Sequence, residues 1–248
     1  MGTLYITGAG VSAESGIPTF RGEDGFWTIG STNYTPQEMA TRAMYERHPG
    51  EFLAWYYQRF VAYRHHGPNE VHTWLSNKTL ITQNIDGLDG KAGNSNYVSI
   101  HGRIDEMTPF HHQGDDVERT KAPWEQVDET NLESSLLELF KISKTRGPVL
   151  NESYKPYVLL FDEYYTELYE ISRALEMMQE AERIVFMGTS FSVNITQIAL
   201  DIARTQDTQI EVVDPNPCHV LHANTRYHVM TAKDYIAAQQ EHEWKSER

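Results

Sequence analysis

His101 is the residue of this chain best suited to moving a proton. An unperturbed imidazole titrates near 6.5, so it can take a hydroxyl proton around neutral pH. His101 follows the strand-like run Tyr97-Val98-Ser99-Ile100 and precedes Gly102. A lone histidine is more often structural, so its companions matter. Asn84 and Asp86 lie in Thr82-Gln83-Asn84-Ile85-Asp86-Gly87-Leu88, just past the apolar run that begins at Thr79. An amide offers a donor and an acceptor together, while Asp86 can hold a nearby amide or simply cap the turn. Near the start, Leu4-Tyr5-Ile6-Thr7 leads into Gly8-Ala9-Gly10. Such a turn lets backbone N–H groups approach a pyrophosphate without a Cβ in the way. Gly8, Gly10 and Ala13 fit the G-x-G-x-x-G/A spacing. Taken alone, that spacing is equally an ordinary tight turn. Pro18 stops any helix starting at Val11 within two turns, and no strand with a ribose-binding acid arrives about 20 residues later.

The elements that must position these residues alternate between strand and helix. Strand-like runs occur at 4–7, 79–82, 97–100, 157–161, 183–188, 209–213 and 227–230, with helical patterns at 164–180, 192–205 and 232–243. That alternation predicts an α/β fold, a Rossmann-like parallel sheet with helices on both faces. Ligands in such sheets gather beyond the carboxyl ends of the strands, where Gly8, Asn84, His101, Phe161 and Gly188 all fall. Two insertions predict a smaller lobe. The first, about 23–76, is helical: a helix over 36–47, an aromatic helix over 50–66 and a short one over 69–75. The second, about 103–154, is polar and acidic with one amphipathic stretch at 124–142. The core is expected at about 1–22, 77–102 and 155–248, all within one domain. The segment 23–33 reads as a loop, with Phe26 and Trp27 either anchoring it or closing it over a ligand.

With 248 residues the chain has ample length for a sizeable core. A formal net charge of −14 argues against wrapping nucleic acid and favours a basic, lysine-bearing polypeptide as partner. No long apolar run is present to span a membrane, and a strand beginning almost at Met1 is expected to leave no room for a leader peptide. The single cysteine, Cys218, excludes an internal disulfide framework, fits a reducing cytoplasm and is expected to be structurally indifferent.

The whole string from Gly8, GAG-x-S-x-x-SGIP-x-FRG, resembles the opening motif of the sirtuins, the NAD-dependent protein deacylases. Further matches follow in order: the Thr82 to Leu88 motif, His101-Gly102, Lys155-Pro156 leading to Phe161-x-Glu163, and Gly188-Thr189-Ser190 with Val193. The resemblance implies an NAD site built from Gly8, Ala9, Gly10, Ala13, Phe20, Arg21, Gln83, Asn84, Asp86, His101, Gly188, Thr189, Ser190 and Asp214. His101, Asn84 and Asp86 would be catalytic. His101 would deprotonate the nicotinamide ribose, directly or through a hydroxyl relay, after the acyl oxygen has attacked the anomeric carbon. Asn84 would order ribose hydroxyls or a water, Asp86 the carboxamide, and Gln83 would line the ribose pocket. Arg21 would pair with phosphate and Phe20 would shield the reactive carbon. The segment from Val158 through Phe161 to Glu163 would pair with an extended acyl-lysine peptide. Tyr56 and Arg59 stand as a Tyr-x-x-Arg pair on one helical face, as in sirtuins that favour succinyl- and malonyl-lysine. Otherwise Tyr56 is core and Arg59 a solvated charge.

The chain also departs from the family. Asp162 replaces a glycine, Asp214 an asparagine and Asp89 a histidine. Residues 103–155 hold no cysteine, so the zinc site of most sirtuins is expected to be missing, with no metal in its place. His111, His112, Asp115 and Asp116 read as solvated loop residues. Besides deacylation, the same pocket would serve NAD hydrolysis or ADP-ribosyl transfer. A non-catalytic NAD-binding module is the remaining alternative, against which the three polar residues argue.

Overall fold

The computed structural model describes residues 2–19 and 34–246. Phe20, Arg21 and the segment 23–33 with Phe26 and Trp27, expected to be a loop, lie outside the described residues.

A six-stranded sheet forms from β1 (Gly2–Thr7), β2 (Thr79–Thr82), β3 (Tyr97–Ser99), β7 (Ala181–Met187), β8 (Gln209–Val213) and β9 (Thr225–His228). Its order is β3-β2-β1-β7-β8-β9, and every pair is parallel. Strands buried on both faces need near-continuous apolar runs, as in LYIT of β1 and IVFM of β7. Alternate side chains then serve opposite layers. Leu4, Ile6, Ile184 and Phe186 pack on α7 (Ile171–Glu180) and α8 (Asn194–Gln206). Tyr5, Leu80, Val185 and Val213 pack on α4 (Glu70–Leu75) and α9 (Ala232–Ser246). Thus α4, which the sequence assigns to the inserted lobe, packs on the sheet.

The chain leaves β1 for β2 on one side and later returns through β7 on the other. The strand order therefore reverses at β1 and β7, opening a crevice beyond their carboxyl ends.

A second core joins α1 (Pro36–Met39), α2 (Arg42–Arg47), α3 (Pro49–Tyr63) and α6 (Leu132–Leu139) to a small antiparallel sheet. That sheet runs β5-β4-β6, with β4 (Gly102–Pro109) central to β5 (Thr120–Lys121) and β6 (Tyr154–Val158). One short helix, α5 (Leu88–Lys91), follows the Asp86 turn. The expected strand at 157–161 is corrected here. It starts earlier, at Tyr154, and belongs to the antiparallel sheet, paired with β4 from Gly102↔Val158 to Pro109↔Tyr154. The expected helix at 36–47 breaks at Thr41, whose hydroxyl accepts from the Met44 N–H and so caps α2. The amphipathic stretch at 124–142 is helical only over α6, behind 3₁₀ turns at Trp124–Gln126 and Glu129–Asn131. Trp124 is buried there, and its indole N–H donates to the Ile104 carbonyl at 2.6 Å. Packing of Trp124 against Phe60 and Phe140 ties the second insertion to α3.

Candidate active site

Two strand exits meet at the crevice. The Gly8 N–H donates to Met187 O at 3.0 Å, and the Gly10 N–H to Gly188 O at 2.9 Å. A Cβ on Gly10 would stand 2.6 Å from Gly188 Cα, and Gly188 itself has φ +62°. The glycines therefore let the β1 and β7 exits touch. The N–H groups of Gly8 and Gly10 themselves are engaged in that contact. Residues Ala9–Ser15 form a 3₁₀ helix rather than an α-helix from Val11, ended by Gly16 at φ +82°.

From this junction a cavity of about 760 Å³ runs between the parallel sheet and the small antiparallel one. Gly8, Ala9, Gly10, Ala13, Gln83, Asn84, Asp86, His101, Gly188, Thr189, Ser190 and Asp214 all line it. So do Tyr56, Val158, Phe161 and Glu163; Arg59 does not. The Arg59 guanidinium is buried over the Trp55 ring, 3.3 Å from its centroid, and donates to Trp55 O at 2.7 Å. Burial pulls its pKa down to about 9. The Tyr-x-x-Arg pair thus diverges: Tyr56 faces the cavity and Arg59 lies over the Trp55 ring.

Asn84 donates through Nδ2 to Gly8 O and to Ser12 Oγ, both at 3.1 Å. Ser12 Oγ donates to Asp86 Oδ2 at 2.7 Å, and Asp86 Oδ1 accepts from the Leu88 N–H at 2.9 Å. Buried His72 completes the group. Its Nδ1 accepts from the Asn69 N–H at 3.2 Å, so Nε2 carries the proton that points at Ser12 Oγ, 3.4 Å away. Burial lowers the His72 pKa, with the Asp86 charge opposing. Ser12 and His72 lock Asn84 and Asp86, a role the motif lettering did not separate from backbone turns.

His101 projects just before β4. Its follower Gly102 has φ +79°, and a Cβ there would lie 2.1 Å from Tyr157 O on β6. Only glycine brings the base this close to the strand crossing. His101 Nδ1 lies 2.9 Å from Gln83 O, an acceptor, so Nδ1 carries the proton and Nε2 the lone pair. That lone pair faces Tyr165 Oη at 3.1 Å. Burial pushes the imidazole down to about 4, with the Gln83 carbonyl acting the other way. Tyr165 was not anticipated, since one aromatic among Tyr164-Tyr165 carries no periodic signal.

Gln83 Nε2 reaches Thr189 Oγ1 at 3.2 Å, joining the exits of β2 and β7. Asp214, at the carboxyl end of β8, accepts from the Asn216 N–H at 2.8 Å and keeps a carboxylate on the cavity wall. Cys218 lines the same end, with Sγ 3.5 Å from Ser190 O.

The segment after β6 is held by side chains remote in sequence. Asp162 accepts from the Arg42 and Ala43 N–H groups at the start of α2, at 2.6 and 3.1 Å. Glu163 takes the buried Lys155 ammonium at 3.3 Å and Arg42 at 3.4 Å, while the Leu160 N–H donates to Glu163 at 3.1 Å. The aspartate in the family's glycine position thus has a structural task. The N–H groups of Leu159 and Phe161 donate to His101 O and Ala40 O. No group of three or more His, Cys, Asp or Glu side chains is placed to hold a metal among the described residues. Nor is any described helix long and apolar enough to cross a membrane.

The Sir2 family model matches residues 8–195. The NAD-dependent protein deacylase of Aquifex aeolicus is 32% identical over 219 residues, 86% of this chain and 82% of that protein. NAD-dependent protein deacylase 1 of Caldanaerobacter subterraneus is 33% identical over 198 residues, 77% of this chain and 73% of its own. Among solved structures, a mutant Sir2 homologue in complex with ADP-ribose superposes with a TM-score of 0.77 at 25% identity, covering 98% of this chain and 92% of that one. A Sir2 homologue in complex with NAD gives 0.74 at 25% identity, covering 98% and 90%.

Proposed function

The chain belongs to the Sir2 family, and from that premise we propose that it removes acyl groups from lysine side chains of polypeptides, using NAD and releasing nicotinamide, free lysine and an O-acyl-ADP-ribose. One observation carries this reading: a single cavity joins the nucleotide-type crevice at β1 and β7 to the substrate-type edge after β6, with His101 between them. Its volume of about 760 Å³ and its acceptors at Asp214, Asn84 and Gln83 fit a dinucleotide. Bound NAD supplies an electrophilic anomeric carbon with nicotinamide as its leaving group.

The residues of this chain bind, orient and move a proton. Asp214 accepts ribose hydroxyls at the β8 end, and Ser190 offers a hydroxyl beside the β7 exit. Gln83 and Asn84 orient the sugar nearest His101, and Asp86, locked by Ser12, holds a carboxamide. Arg21 and Phe20 keep the phosphate-pairing and shielding roles that the motif implies. Neutral His101 holds its lone pair on Nε2, the state a general base needs. With the Leu159 and Phe161 N–H groups already engaged, an extended substrate backbone meets this edge through the edge's carbonyls.

For the acyl group, Tyr56 supplies the wall. Its buried hydroxyl has no hydrogen-bond partner among the described residues and is available to an acyl oxygen. A succinyl or malonyl carboxylate would need Arg59 to leave Trp55, so short neutral acyl groups are the better substrates. The test is incubation with NAD and matched acyl-lysine peptides, followed by mass spectrometry. Nicotinamide, deacylated peptide and an acylated ADP-ribose in equal amounts support deacylation. ADP-ribose alone would make the chain an NAD hydrolase, and no product a binding module.

A further inference from the structure

The geometry points to Tyr165 as a proton relay: its hydroxyl stands between the ribose hydroxyl to be deprotonated and Nε2 of His101. This rests on the deacylase reading and adds a residue to it.

His101 has only one lone pair to offer, because Nδ1–H is committed to Gln83 O at 2.9 Å. Nε2, the remaining nitrogen, lies 3.1 Å from Tyr165 Oη. A neutral imidazole nitrogen accepts, so the phenol donates. Tyr165 is held for this task. Its ring lies nearly parallel to the imidazole, 17° between planes with centroids 6.0 Å apart. It packs against the core beneath α7 and α8, and the backbone of Ile195, in the first turn of α8, opposes the effect of burial on its phenol. Burial raises the phenol pKa to about 12, so it stays a donor throughout the working range. Both Tyr165 and His101 line the cavity.

With its one proton directed to His101 Nε2, the phenol oxygen keeps acceptor capacity toward the cavity that both residues line. A sugar hydroxyl placed there gives its proton to Tyr165 Oη as the Tyr165 proton passes to His101 Nε2. The phenol is neutral before and after; the positive charge ends on an imidazolium whose Nδ1–H still meets Gln83 O, and the electron pair stays on the sugar oxygen, which uses it in a bond to the acyl carbon. Among the described residues Tyr165 is the partner of that lone pair, and without it the base must reach the substrate directly.

The test is Tyr165→Phe, which keeps the ring and removes the hydroxyl. In the empty protein, imidazole NMR of the wild type should show His101 as the Nδ1–H tautomer with a hydrogen-bonded Nε2. In the variant its pKa should rise by about half to one unit, since a lost donor of roughly 0.5–1.5 kcal/mol no longer favours the neutral ring. Deacylation kcat/KM should fall by about 10²-fold, as for loss of a proton-transfer group. Combining Tyr165→Phe with His101→Ala should add little to His101→Ala alone, because the two act in one path. An unchanged His101 titration, or unchanged or raised kcat/KM in the variant, would overturn the relay. If the wild type deacylates nothing, the functional reading fails, while the NMR measurement still decides whether Tyr165 holds the base. Should the variant not fold, a wild-type His101 with a free Nε2 would by itself refute the proposal.

Discussion

A Cβ on Gly102 would lie 2.1 Å from the carbonyl oxygen of Tyr157, closer than any side chain can come. The base His101 is thus presented by a residue that has to be glycine twice over, for contact and for a φ of +79°. Gly102→Ala is expected to cost stability by more than the roughly 1–3 kcal/mol of backbone strain alone. Because β4 must shift, His101 moves too, and kcat should fall at temperatures where circular dichroism still shows a folded protein. A variant of wild-type stability would contradict this packing.

His101→Ala and Asn84→Ala should each reduce deacylation by 10²-fold or more, with a loss for His101 typical of a removed general base. The melting temperature should change little for His101→Ala, whose ring makes two polar bonds. Asn84→Ala should lower it more, because Ser12 Oγ and Gly8 O each lose a donor. Steady-state kinetics beside differential scanning calorimetry separates the two effects.

Asp89 is buried in the wall behind Asp86. Burial, then the Asp86 charge, pushes its carboxyl up to about 7, against the Thr82 hydroxyl, which favours the ionised form. Between the unfolded value near 3.8 and that folded value, the native state binds more protons, so this group withdraws stability as pH rises through the window. Asp89→Asn mimics the protonated acid. Its advantage over the wild type should be near zero at pH 4 and grow to on the order of 2–4 kcal/mol by pH 8. Paired urea melts at the two pH values read it directly, and a difference independent of pH would contradict it.

Arg59→Met removes the cation stacked on Trp55. Acetyl- and succinyl-peptide turnover should fall together, and the melting temperature with them, since Arg59 stands outside the cavity. A selective loss of succinyl turnover of about 1.5–3 kcal/mol, the worth of a charged hydrogen bond, would instead make it an acyl-carboxylate receptor.

The purified protein should contain no stoichiometric zinc, and chelators should leave its melting temperature unchanged. Trp124, clamped between Phe60 and Phe140, anchors the lobe that carries zinc in most sirtuins. Elemental analysis finding one tightly held zinc per chain would contradict this.

The parallel sheet was legible because its central strands are apolar on both faces, so β1, β2 and β7 read as near-continuous runs. The sheet around β4 was not. In GRIDEMTP the charges of Arg103, Asp105 and Glu106 interrupt the run, and Arg103 satisfies both acids at the surface. Lys155-Pro156 likewise masks the start of β6, because the buried ammonium is satisfied by the Val158 carbonyl and by the Glu163 carboxylate, eight residues on. The candidate site residues sit at strand ends, so the lettering picks out residues that line one cavity. Orientation was beyond it: which side of α3 Arg59 takes depends on Trp55, and the partner of His101 depends on where 164–166 returns to α8.

The ties that hold the substrate edge also set when it can exist. Arg42 bonds Asp162 across 120 positions and Glu163 across 121. During synthesis, residues 36–47 emerge long before the carboxylates that cap and pair them. Until residue 163 is made, the start of α2 has neither acid, and the wall of the cavity has no anchor. Closing so long a loop adds little free energy beyond a shorter one, about 0.6 kcal/mol per doubling. It does delay the event. The growing chain can therefore pair β1 with β2, and β2 with β3, before it has a place for a peptide, and catalytic competence arrives only with the second half of the polypeptide.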